Sequence, residues 1–332
     1  MIFQTPIMAL LLVAGLASLT ALWSGGFAVQ VLRRWNLADM SRAQLQRERA
    51  TELVSTLFAA VMLAELAALL LFVFNADRMA SLFVGAMCAV GTLNVNGYGF
   101  PALYLKIGVF FAAVLWLMLD RADRMGRDYP LTRVKYGVLL AIVPLVLADA
   151  GTELAYFLNM HTDVITSCCS KLFTPANAGL ANEMASIGPG ASLWLLGGAG
   201  VFVAATGGFA LWRGRGFGLY ALASVLMFAL ALTAVVSVIS PYIYEYPNHH
   251  CPFCILKPEY NYYGYALYIP LFLGTGLGVG AGMLSLFRSR ESLAEKLPAM
   301  IRRQVIWSMA GFAGFGLATL YAIASSNLII FG

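Results

Sequence analysis

Long apolar runs alternate with short polar gaps along the whole chain, and eight of the runs are long enough to cross a bilayer as helices of about 20 residues. The predicted spans are 7–32, 52–74, 99–120, 136–158, 192–212, 217–239, 265–287 and 305–330. An apolar run with no period-two alternation, bounded by Arg clusters or Gly and Pro turns, is a helix in lipid, because only a helix satisfies its own backbone there. The fold class expected is therefore all-α, a polytopic membrane helical bundle forming a single integral membrane domain over 1–332.

Eight spans put both termini on one side, and the basic residues say which. The gaps 33–51, 121–135, 213–216 and 288–304 hold seventeen of the twenty-one Lys and Arg residues. The intervening gaps 75–98, 159–191 and 240–264 hold only Arg78, Lys171 and Lys257, and Lys106 lies within a span. Positive charge accumulates on the cytoplasmic side of membrane proteins. The first set of gaps is then cytoplasmic, and the second set, with the N- and C-termini, is extracytoplasmic. The apolar run after Met1 has no positive charge before it and ends in Arg33-Arg34, which predicts a retained first helix and not a cleaved signal peptide.

Composition agrees. The chain is 61% hydrophobic and 11% charged, with a mean hydropathy of +0.79, whereas soluble domains carry about 25% charged residues. The net charge of +5 lies in clusters beside apolar runs, where it marks topology and not a nucleic-acid surface. No P-loop, Gly-rich nucleotide motif or Ser/His/Asp arrangement occurs. The expected setting is a bacterial inner membrane, with the lipid bilayer as the first partner.

On this topology every Cys and His falls on the outer side. Asn248-His249-His250-Cys251-Pro252-Phe253-Cys254 holds two of three histidines and two of five cysteines; His161 and the vicinal pair Cys168-Cys169 lie in a second outer gap, and Cys88 at the edge of a third. In a periplasm such thiols are oxidised or metal-bound. Cys251 and Cys254 form a Cys-X-X-Cys whose internal proline stiffens the turn, with His249 and His250 placed to favour a thiolate. The same thiolates, with Cys168, Cys169, His161, His249 and His250, make a ligand set for copper, zinc or mercury. Vicinal cysteines divide their bonds between partners more readily than they bond each other, so Cys251 and Cys254 are the natural partners of Cys168 and Cys169. Haem c is excluded because position 255 is Ile where a Cys-X-X-Cys-His is required. Haem b lacks a facing pair of histidines.

An outer Cys-X-X-Cys, a second cysteine pair on another loop and a helical bundle is similar in plan to the DsbB and vitamin K epoxide reductase families, whose bundles hold a quinone and have about half as many helices. The resemblance implies a membrane thiol-disulfide oxidoreductase. Cys251 and Cys254 would exchange with a periplasmic thioredoxin-like protein, Cys168 and Cys169 would relay, and a quinone would be the cofactor. The two alternatives are a soft-metal binding or transport protein built on the same cluster, and a non-enzymatic subunit of a larger membrane complex with disulfide-stapled outer loops.

Within the spans, ionisable residues are few. Glu65, Lys106, Asp149 and Glu153 all fall in the outer half, with Asp149 and Glu153 at i, i+4 on one helical face. Such charges need partners or water. They form either a Lys106-carboxylate pair holding three helices together or a proton or cation path. Glycines at 274, 278 and 282 recur every four residues and predict close backbone approach to a neighbouring helix.

Overall fold

The computed structural model describes residues 4–35, 42–126, 128–161 and 187–328. Among the described residues it is helical without strands, and eight helices are long and apolar enough to cross a membrane. They are α1 (Thr5–Arg34), α2 (Arg42–Arg78), α3 (Gly99–Asp123), α4 (Thr132–Leu158), α5 (Pro189–Arg213), α6 (Phe217–Ala234), α7 (Tyr263–Ser285) and α8 (Leu297–Ser325). Each expected span is present, and several helices overrun their apolar stretch. α2 starts ten residues before the predicted span because Arg42 to Thr51 is rich in Arg, Gln, Leu, Glu and Ala, which hold a helix without lipid.

The chain divides into two units. The first comprises Met1–Ala76, Leu93–Thr162 and Phe287–Leu297 and contains α1 to α4. Its core is aromatic: Phe58 meets Trp116 edge-on at 4.7 Å and Phe27 meets Tyr136 at 5.6 Å. Around them pack alanines of α1 and α3, whose small side chains let helices approach without a hydrophobic driving force. The buried Tyr136 hydroxyl donates to the Thr51 carbonyl (2.9 Å), and the Trp116 indole N–H to the Lys135 carbonyl (3.3 Å).

The turn from α3 to α4 is fastened by charge. Lys135 Nζ is 3.1 Å from Asp120 Oδ1 and 2.8 Å from Asp123 Oδ2, and Asp123 also accepts the Leu131 N–H (2.8 Å) and the Thr132 hydroxyl (3.1 Å). Lys135, counted in the sequence among the residues that set topology, is buried at 2% side-chain exposure. The clasp pairs it with two acids that sequence spacing did not single out.

The second unit comprises Asp77–Thr92, Asp163–Leu286 and Pro298–Gly332 and contains α5 to α8. Its first hairpin turns on two glycines, Gly214 (φ +63°) and Gly216 (φ +85°), conformations that a side chain at either position would strain. The glycine stripe of α7 does what its spacing predicts. A Cβ on Gly282 would stand 2.4 Å from Ala221 Cβ and 3.0 Å from the Phe217 carbonyl oxygen, and one on Gly278 2.2 Å from Ser224 Oγ. Gly282→Val is expected to destabilise the protein by about 1–3 kcal/mol, the range for overpacking a close contact. Gly208→Ala, where nothing lies within 4 Å of the added Cβ, is expected to change stability by less than about 1 kcal/mol. Thermal unfolding of both variants in detergent reads the difference.

α6 does not stop at Ala234. It passes through a π-helical turn, Val235–Ile239, into a last helical turn, Ser240–Tyr244, that carries Pro241. In the π turn the Ser240 N–H bonds the Val235 carbonyl, five residues back. The next carbonyl, Val236, would take its bond from residue 241, and proline has no N–H to give. That carbonyl is left for another donor, which comes from the site below.

Candidate functional site

The site grows from two loops of the second unit. Cys88 lies just ahead of the short helix Ala89–Leu93 and caps it, its carbonyl accepting the N–H groups of Gly91 (3.0 Å) and Thr92 (3.4 Å). The Ala89 N–H donates to Asp77 Oδ1 (3.2 Å), which fixes the turn in which Cys88 sits. The second loop follows Tyr244 and contains His249, His250, Cys251 and Cys254. Cys254 opens a 3₁₀ turn, Cys254–Leu256, that packs directly on Gly264; a Cβ there would lie 2.7 Å from Leu256 Cδ2.

Tyrosines hold this loop in place. The Tyr244 hydroxyl donates to the Cys251 carbonyl (2.5 Å), and the Tyr268 hydroxyl to the Pro252 carbonyl (2.7 Å). Lys257 Nζ donates to the Met87 carbonyl (2.5 Å) and so ties the second loop to the first. The rings of His249 and Tyr260 both pack edge-on against Tyr244, at 4.3 and 4.6 Å. Burial pushes the Tyr260 phenol above its ordinary pKa, and negative charge on Cys254 adds to the effect. The tyrosine density of 242–268, which interfacial anchoring alone would account for, thus serves to position the cysteine loop.

The result is a convergence of three sulfurs. Cys88 Sγ and Cys251 Sγ are 3.4 Å apart. With Cys254 Sγ they all lie within 4.8 Å of one another. Cys88 and Cys251 are 0% exposed and Cys254 7%. Sequence reasoning placed Cys251 and Cys254 together but left Cys88 outside the candidate site. The signal was its outer location beside a polar gap; only folding across more than 160 residues supplies the contact.

The two histidines play different parts. His250 Nδ1 is 3.0 Å from the Val236 carbonyl, the acceptor that the π turn and Pro241 leave open. A carbonyl only accepts, so Nδ1 is the donor in this contact and Nε2 is the ring nitrogen left over. His249 Nε2 is buried without a hydrogen-bond partner. His161, in the first unit, is exposed; among the described residues the group of converging ligand atoms comprises Cys88, Cys251 and Cys254. Cys168 and Cys169 lie outside the described residues.

A second polar cluster sits within the first unit. Lys106, about two turns inside α3, is 3.5 Å from Glu65 Oε2 of α2, 2.9 Å from Asp149 Oδ2 and 2.8 Å from Glu153 Oε2 of α4. Lys106 thus faces carboxyls of α2 and α4 from its place on α3.

No protein-family model, curated protein or solved structure matches this sequence. Its function has to be read from geometry.

Proposed function

We propose that this integral membrane protein binds a soft metal ion, Cu(I) foremost, through Cys88, Cys251 and Cys254 at the extracytoplasmic surface of a bacterial inner membrane. The observation that carries the reading is the convergence of three buried sulfurs within 4.8 Å. A disulfide would use two of them and strand the third, whereas a thiophilic ion takes all three. Thiolates select Cu(I), zinc or iron–sulfur clusters over hard cations, and a site whose close donors are all sulfur suits Cu(I) best. Burial supports the same reading, since a sulfur with no exposure cannot be attacked by a protein partner without prior opening. Binding would deprotonate the thiols and release their protons. His250, whose Nδ1 is taken up by the Val236 carbonyl, is the nearest imidazole in sequence to extend the ligand set through Nε2. The outer placement rests on the distribution of basic residues, seventeen of twenty-one in the four gaps assigned to the cytoplasm.

The 3.4 Å contact between Cys88 and Cys251 favours a second reading, thiol-disulfide chemistry. There a thioredoxin-like partner's disulfide is reduced to two thiols while two cysteines of this chain join in a disulfide, or a quinone takes the two electrons and two protons. Purification without chelator separates the two. The metal reading expects about one copper ion per chain by elemental mass spectrometry, released by a Cu(I) chelator with matching exposure of thiols to alkylation. Metal-free protein with Cys88 and Cys251 recovered as a disulfide would sink it and establish the second.

A further inference from the structure

The Lys106 cluster has more acid than base. Three carboxyl groups lie within 3.5 Å of one ammonium, and all four side chains are at most 2% exposed. Fully ionised, the group would hold two uncompensated negative charges away from water, each costing several kcal/mol. Its hydrogen bonding is also incomplete. Lys106 donates to Asp149 Oδ2 and its ammonium also stands 2.8 Å from Glu153 Oε2 and 3.5 Å from Glu65 Oε2, but Asp149 Oδ1 and Glu153 Oε1 are buried without a hydrogen-bond partner. Buried oxygens in that state call for a donor beyond the Lys106 ammonium, which already faces one oxygen of each carboxyl.

The neighbouring faces do not provide one as charge. α1 carries no titratable residue between Thr5 and Gln30, and α2 only Glu65 between Leu53 and Phe74. On α3 the other titratable group within three turns of Lys106 is the exposed Tyr104, and on α4 the one beside Asp149 and Glu153 is the buried phenol of Tyr156; Asp120, Asp123 and Lys135, about four turns further along α3 or at the start of α4, pair with one another. A metal cation would have to sit against the Lys106 ammonium, which stands at the centre of all three carboxyls. A proton meets no such repulsion: on a carboxyl oxygen it removes a charge and becomes an O–H donor to a neighbouring oxygen.

We propose that Glu65, Lys106, Asp149 and Glu153 form a proton-binding site that holds two exchangeable protons at neutral pH, the third carboxylate being paired with Lys106. The site is independent of the sulfur cluster. Two protons balance the charge and supply two donors where Asp149 Oδ1 and Glu153 Oε1 stand open.

Infrared spectroscopy of the full chain in liposomes at pH 7 tests this through the C=O stretch of protonated carboxyls, which lies apart from the carboxylate bands and shifts in D2O. The wild type is expected to show the band. Glu153→Gln, which removes one charge while keeping the shape, should reduce it by about half, and the Glu65→Gln/Glu153→Gln pair should abolish it. Absence of the band, indifference to these substitutions, or its disappearance on adding sodium at fixed pH would each overturn the proposal. Should the variants fail to fold, dicyclohexylcarbodiimide, which couples to protonated buried carboxyls, reads the wild type directly. Modification of Glu65 or Glu153 at pH 7, slowed as pH rises, is the expected result, and no modification at any pH tells against the site.

Discussion

Replacement of Lys106 by methionine is expected to destabilise the protein by about 3–5 kcal/mol at neutral pH, the range for removing one partner of a buried ion pair. Methionine fills much of the same volume, so the loss reports charge and not a cavity. Lys106 touches Glu65, Asp149 and Glu153, on α2 and α4, from its place on α3; without it a carboxylate buried among three helices has no counter-charge. That remaining carboxylate binds a proton more readily in the folded variant than when unfolded in water. The sign then follows from linkage: the folded state takes up protons as pH falls, so the deficit relative to wild type is largest at high pH and narrows on acidification. Unfolding in detergent between pH 5 and 8 measures it. A second substitution, Glu153→Gln, should restore part of the lost stability, because the two sites share partners and their effects are not additive. A deficit that stays constant with pH, or one below about 1 kcal/mol, would mean that water reaches the cluster and that the burial argued above is wrong.

Lipid makes some features of this chain legible and leaves others hidden. A bilayer fixes the length of a span and forbids unpaired backbone, so apolar runs translate directly into helices. A charge inside a run, such as Lys106 or Asp149, announces that it needs a partner. The spacing of Gly274, Gly278 and Gly282 likewise needs only helix geometry to be read. Three features depend on contacts that spacing cannot reach. Lys135 reads as one basic residue among five in a cytoplasmic gap until Asp120 and Asp123 close around it. Val236 is an ordinary apolar residue until the π turn and Pro241 free its carbonyl for His250. Cys88 stands far from the Cys-X-X-Cys in sequence, and its role depends on the Lys257 to Met87 bond that joins the two loops. Local pattern carried the scaffold, and tertiary closure completed the site.

Cys88→Ser is expected to weaken Cu(I) binding by at least about 100-fold, since changes one shell further out already cost 10–100-fold. Serine is close to cysteine in size, and Cys88 holds the Ala89–Leu93 turn through its backbone carbonyl, which the substitution leaves intact. The fold should therefore survive, and titration with a competing Cu(I) chelator reads the affinity. Comparison with Cys254→Ser gives the result its meaning. If three sulfurs hold one ion, losing Cys254 weakens binding by a similar factor, because a soft ion is left with two donors in either variant. If instead the 3.4 Å contact between Cys88 and Cys251 is the working redox pair, Cys88→Ser abolishes the internal disulfide while Cys254→Ser leaves it in place. Equal loss in the two variants speaks for a metal centre; a loss confined to Cys88→Ser speaks for thiol-disulfide exchange.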